Sequence, residues 1–234
     1  MAPGKRSFIR TLLIHFNISH NQLRRNASTR RIMIEKAAEG LIVEGKNVGK
    51  QREGEWMAEQ LLSVKEGAAE EVWKMSAHLY SLDSYLYRKL NELMRLVGDE
   101  EHARYVQSKM YTLGPFTLLL ERLMQRNKKA MTVYRSAELS DDLIEQFRQS
   151  SGSHEKRLFS AFTSTSRSKN VAEFYGGNVI FAIKIFKNGA DISQYSAFPQ
   201  EEEVLLEASF WFVIQSCTFD KTTNKWFIRL KCAP

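Results

Sequence analysis

Between residue 55 and about residue 125, apolar side chains recur at spacings of three and four. Leu79, Leu82, Leu86, Leu90, Leu93 and Val97 fall on one face when the chain is wound at 3.6 residues per turn. Such a stripe predicts core positions of helices rather than a ligand box. A further helix is expected after Gly114, because Pro115 suits a first helical position and residues 116–120, Leu123 and Met124 supply an apolar face. From about Met131 the period changes. Short β-rich runs follow one another: MTVYR, RLFSAFTS, NVIFAIKIF, EVLLEASFWFVIQSCTF and KWFIRLKC. Two helical windows interrupt them, residues 141–149 with Ser140 as N-cap and residues 169–175 with Ser168 as N-cap. Turn-prone residues 220–224 predict a hairpin between the last two strands. Helices first and a mainly antiparallel sheet afterwards define an α+β fold.

Residues 1–54 read differently. They hold one short apolar segment, residues 32–43, and close on the loop-like run GKNVGKQREG, which sets a soft boundary at residue 54. Eleven Lys/Arg against four Asp/Glu give this stretch the whole net charge of +7, and the other 180 residues balance. Arg24, Arg25, Arg30 and Arg31 are its densest part. A basic arm can dock on nucleic acid or an anionic membrane. Without interleaved aromatics or a sustained amphipathic face, a solvated, partly disordered leader is the favoured reading.

The chain is long enough for one large domain, and 43% hydrophobic content can fill a core. No window approaches the roughly 18 apolar residues of a membrane span. The apolar stretch 8–18 is broken by Arg10, His15 and Asn17 and lacks a small-residue cleavage site, so an unexported, cytoplasmic chain is expected. Cys217 and Cys232 match neither a disulfide framework nor zinc-ligand spacing, and both are read as core or edge thiols, with no metal site.

Three polar features mark strand ends within the apolar β region. They are Arg135 closing MTVYR, the triplet Ser164, Thr165 and Ser166 after LFSAF, and Glu201 to Glu203 before VLLEASFWF. Each alone is ordinary: a surface arginine, a turn or helix cap, a charged edge that discourages strand pairing. Their order is more specific. TVYR at 132–135, FTSTS at 162–166 and FPQEEEVLL at 198–206 resemble the arginine-specific mono-ADP-ribosyltransferase family, defined by a strand-terminal Arg, an S-T-S motif and an E-x-E motif. AHLYSLDSYLYRKLNELMR and TLGPFTLLLERLM resemble its helical lead-in, so the resemblance spans residues 55–234, with 55–127 helical and 128–234 forming a β-sandwich catalytic core.

The resemblance implies NAD⁺ as co-substrate, a protein carrying an accessible arginine as partner, and a set of residue roles. Arg135 supplies a planar, permanently charged fork for the pyrophosphate. No Gly-rich dinucleotide fingerprint offers a competing phosphate site. Glu203 is implied as the carboxylate that stabilises oxocarbenium-like charge on the ribose and holds its 2′-hydroxyl. Ser164 supports that carboxylate and the ribose, and Ser166 or Thr165 holds the strand edge. Glu201, on the same side as Glu203 by strand alternation, would orient the acceptor guanidinium and help remove its proton. Phe174, with Tyr175 as rival, stands against the nicotinamide or packs its helix onto the sheet. Tyr195 and Phe198 belong to a substrate loop whose exposed aromatics would anchor the partner. Ser136 departs from the glycine that many members carry after the motif arginine; its Cβ alters one wall of the nucleotide site.

Two other functions share these residues. Water as acceptor would make the chain an NAD⁺ glycohydrolase. Alternatively the fold is a noncatalytic module, against which the paired carboxylates argue.

Overall fold

The structure, a computed structural model, describes residues 8–233. It divides into two compact units: residues up to Gln125 together with Tyr195–Ala197, and Arg126–Gln194 together with Phe198 onward.

The first unit is helical. Its elements are α1 (Phe8–His15), α2 (Gln22–Arg25), α3 (Ala27–Asn47), α4 (Gln51–Ser63), α5 (Ala69–Ser81), α6 (Tyr85–Leu96), α7 (Ala103–Lys109) and α8 (Gly114–Arg122). The expected stripe is divided between two of them, because α5 stops at Ser81 and Leu82 takes an extended conformation. Leu79, Leu86, Leu90 and Leu93 are nevertheless fully buried, as their spacing predicts. Pro115 opens α8 as anticipated.

The leader reading of residues 1–54 is corrected for the residues described; Lys5 and Arg6 lie outside them. The supposed boundary falls inside α4, and the loop-like run is only a short turn between α3 and α4. Asn26 caps α3 by accepting from the Thr29 N–H at 3.0 Å. Met33, Ile34, Ala37, Ala38 and Leu41 then form a buried face at helical spacing. The arginine cluster is largely structural. Arg24 donates to the carbonyls of Arg122 (3.0 Å) and Met124 (2.6 Å), Arg30 donates to that of Leu23 (3.0 Å), and Arg31 pairs with Glu66. The contacts of Arg24 and Arg30 satisfy main-chain carbonyls near the C-terminal ends of α8 and α2, so charge that resembles a docking arm in sequence is spent on packing.

α3 also lies close to the segment before α8. Buried Glu44 accepts from Lys109 Nζ (2.8 and 3.0 Å) and Thr112 Oγ1 (2.5 Å), which compensates a carboxylate taken out of water. One turn away, a Cβ on Gly40 would sit 1.9 Å from the Thr112 carbonyl oxygen.

The second unit carries β1 (Met131–Ala137), α9 (Asp141–Gln149), β2 (Lys156–Phe159), β3 (Thr163–Ser166), α10 (Lys169–Phe174), β4 (Val179–Ile185), β5 (Gly189–Asp191), a 3-10 turn (Pro199–Glu201), β6 (Glu203–Leu206), β7 (Phe210–Asp220) and β8 (Lys225–Cys232). Ser140 and Ser168 cap α9 and α10 as expected. The eight strands join in the order β2-β7-β8-β4-β1-β3-β6-β5, antiparallel except for the parallel pair β4 and β8. β6 and β7 stand far apart in that order, yet Val204 and Leu206 share one core with Phe210, Phe212 and Ile214. The sheet therefore folds over on itself, the sandwich arrangement. Two expected single strands are each divided: residues 160–162 separate β2 from β3, and residues 207–209 separate β6 from β7. Cys217 is buried, Cys232 half-buried, and both thiols are free. Among the described residues no helix is long and apolar enough to cross a membrane.

Replacing Gly40 by alanine sets a helix-propensity gain of about 1 kcal/mol against overpacking on backbone, which costs about 1–3 kcal/mol where neighbours can shift. A contact as short as this one lies at or beyond the upper end, so Gly40→Ala should lower the melting temperature by several degrees in a thermal denaturation scan. An unchanged or raised melting temperature would contradict the close approach.

Candidate active site

The expected site residues of the second unit lie on three adjacent strands, β1, β3 and β6, at the C-terminal end of α10, and on the segment that enters β6. The register sets Tyr134 of β1 opposite Ser166 of β3, and Ser166 opposite Glu203 of β6. Paired residues of neighbouring strands project to the same face. Ser166 and Glu203 are thus brought side by side from positions 37 residues apart.

The ladder is reinforced by side chains. Thr165 Oγ1 donates to the Val204 carbonyl at 2.6 Å and ties β3 to β6. Ser166 Oγ accepts from the Ser168 N–H at 2.9 Å, which shapes the chain as it turns into α10. Arg135 Nη1 donates to the Ser164 carbonyl at 2.7 Å, fixing a half-buried guanidinium against β3. Among the described residues no carboxylate is paired with Arg135. Glu203 is only 6% exposed at the first position of β6.

Glu201 is placed by a different device from the one expected. It ends the 3-10 turn, and Glu202 after it is left-handed (φ 47°), so strand alternation does not relate Glu201 to Glu203. The left-handed residue sends its neighbours in different directions. Glu202 pairs with Arg167 at 3.5 Å, and Arg167 also meets Asp191 at 3.1 Å. Glu201 instead accepts a hydrogen bond from the Tyr175 hydroxyl. Partial burial raises the Tyr175 pKa, helped by the Glu201 carboxylate and by the charge of Glu203. Both carboxylates therefore act on one phenol, which keeps its proton at neutral pH.

Phe174 is 88% exposed, so the alternative in which it packs α10 onto the sheet is corrected. Its ring stands edge-on to Tyr175 at 6.3 Å. The turn behind them is fastened by Ser136, whose hydroxyl donates to the Gly176 carbonyl and lies 3.3 Å from that of Val179. Gly177, with φ 80°, makes this possible: a Cβ there would come within 2.5 Å of the Ala137 carbonyl oxygen. The Ser136 hydroxyl is thus engaged by the protein's own backbone.

Of the two loop aromatics, Phe198 is 37% exposed. Tyr195 is half-buried within the helical unit and does not present the free ring expected of it. Its ring meets Trp73 edge-on at 5.6 Å with Lys74 Nζ 5.2 Å away, and its carbonyl lies 2.9 Å from His78 Nδ1. Trp73, Lys74 and His78 recur at helical spacing on α5, which gives Tyr195 a ready-made seat. Sequence reasoning had no access to the links Tyr175–Glu201 and Ser136–Gly176, since they join residues 26 and 40 positions apart. Only the Gly176–Gly177 pair signalled a tight turn there.

Known proteins are similar to this chain in sequence and in fold. A Gallus gallus erythroblast NAD(P)(+)--arginine ADP-ribosyltransferase is 28% identical over 65% of this chain and 48% of its own length. The Mycobacterium avium (strain 104) protein Mav is 35% identical over 42% of this chain and 12% of its own. The chain thus spans about half of one relative and a small part of the other. The crystal structure of the ADP-ribosyltransferase HopU1 of Pseudomonas syringae pv. tomato DC3000 superposes with a TM-score of 0.59 at 22% identity, over 76% of this chain and 82% of that one, and so shares the fold. The family model of NAD:arginine ADP-ribosyltransferases matches residues 42–233, beginning inside α3 and so upstream of residue 55, and the chain belongs to that family.

Proposed function

We propose that this chain transfers ADP-ribose from NAD⁺ to arginine side chains of a protein. The observation that supports this most is the register pairing of buried Glu203 with Ser166, on a strand whose Ser164 carbonyl also holds the Arg135 guanidinium, and with Glu201 on the adjoining turn.

Each group fits a task. Arg135 uses one N–H on the Ser164 carbonyl and has other donors for pyrophosphate oxygens. Mostly shielded from water, the Glu203 carboxylate stabilises positive charge on a ribose more strongly than an exposed one could. Phe174 offers an open aromatic face for the nicotinamide. As the bond between ribose C1′ and the nicotinamide nitrogen breaks, its electron pair leaves with nicotinamide, and a guanidine nitrogen of the acceptor forms the new bond to C1′. The proton released passes to Glu201, which is partly exposed and can reach an acceptor on another molecule.

Hydrolysis shares the first step and differs only in the acceptor, so Glu203 serves both reactions and Glu201 separates them. With agmatine as a small guanidine acceptor, Glu203→Gln should slow nicotinamide release about 10²- to 10³-fold, the size expected for losing one preorganised electrostatic group. Glu201→Gln should abolish ADP-ribosyl-agmatine while free ADP-ribose still forms; continued transfer to agmatine would refute the role given to Glu201. Phe174→Ala should raise the KM for NAD⁺ about fivefold, equivalent to about 1 kcal/mol of aromatic contact, and an unchanged KM would remove that ring from the nucleotide site.

A further inference from the structure

We infer that the Tyr175 hydroxyl is a positioning group for Glu201, and that it thereby sets how the ribosyl group is divided between an arginine and water. This deepens the reading of Glu201 as the acceptor-orienting carboxylate and rests on it.

The argument begins with what the backbone does not do for Glu201. The residue ends a short 3-10 turn and precedes a left-handed residue, so no strand ladder defines its direction. A glutamate in that setting has three free torsions and a choice of rotamers. The phenol that meets it is different. Tyr175 has two side-chain torsions, caps α10, and precedes Gly176, whose carbonyl is held by Ser136. A stiff donor on an anchored turn therefore fixes a mobile carboxylate.

The chemistry of the contact leaves the carboxylate usable. Tyr175 donates to Oε1 and takes one of about four lone-pair sites on an ionised carboxylate. One site on each oxygen stays available to a two-pronged guanidinium. Partial desolvation and the negative charges of Glu201 and Glu203 keep the phenol protonated, so it acts as a donor wherever the carboxylates are ionised. Water needs no such alignment to attack. The hydroxyl thus favours the acceptor that binds by fork geometry over the one that does not.

Tyr175→Phe tests this, because it keeps the ring and removes the donor. The whole chain is incubated with NAD⁺ and increasing agmatine, and ADP-ribosyl-agmatine and free ADP-ribose are quantified in the same reaction. The ratio of transfer to hydrolysis should fall about fivefold to tenfold, mainly through a raised KM for agmatine. Tyr175→His, which returns a donor on a shorter side chain, should recover part of the loss. A ratio within twofold of wild type, or a lowered KM for agmatine, would overturn the inference, the latter by showing that the hydroxyl competes with the acceptor. Loss of all NAD⁺ cleavage in Tyr175→Phe would also overturn it, since the hydroxyl would then serve bond breaking. If Glu201→Gln alone leaves the ratio at its wild-type value, the acceptor role of Glu201 fails independently and the inference falls with it.

Discussion

The antiparallel ladder between β3 and β6 is the constraint on which the site depends. A carboxylate that is to stabilise a cation must stay charged, nearly dry and still. A strand position satisfies the last two requirements at once: the backbone is fixed by its pairing, and neighbouring strands exclude water. Glu203 sits opposite Ser166, and the Thr165 hydroxyl closes the same ladder onto Val204. A slip of one residue would turn Glu203 to the other face and bring a valine into its place. Val204 and Leu206 resist that slip, since both side chains are buried in the common core on the face away from Glu203.

Around this rigid carboxylate the other groups are held by contacts of graded stiffness. Arg135 is tied to a main-chain carbonyl of the neighbouring strand β3. Phe174 and Tyr175 ride on a turn secured by Ser136 and permitted by the left-handed Gly177. Glu201 is the least constrained, on a 3-10 turn, and is reached by the phenol. That gradient suits the proposed chemistry. In that proposal the group assigned to a fixed cofactor atom is held by a strand, whereas the group assigned to a variable protein surface is adjustable and steered.

Much of this was legible in the sequence where local rules decide. Ser140 and Ser168 announced α9 and α10 because a cap acts within three residues, and the leucine spacing announced the buried helical faces. The strand-end motifs were legible through their order along the chain. What was not legible depends on partners distant in sequence. Residues 1–54 looked like a solvated arm because Arg24 and Arg30 satisfy carbonyls that no local pattern reveals. Tyr195 looked like a free loop aromatic until Trp73 and Lys74 were seen to hold it. Alternation put Glu201 beside Glu203, but a single left-handed residue between them changed the geometry that Glu201 obeys.

The most direct test of the central claim is mass spectrometry of proteins treated with this chain and NAD⁺, scored for which side chain gains an ADP-ribose. The account predicts adducts on arginine nitrogens that disappear when NAD⁺ is withheld. Adducts confined to other residue types, or free ADP-ribose with no protein adduct at all, would contradict it.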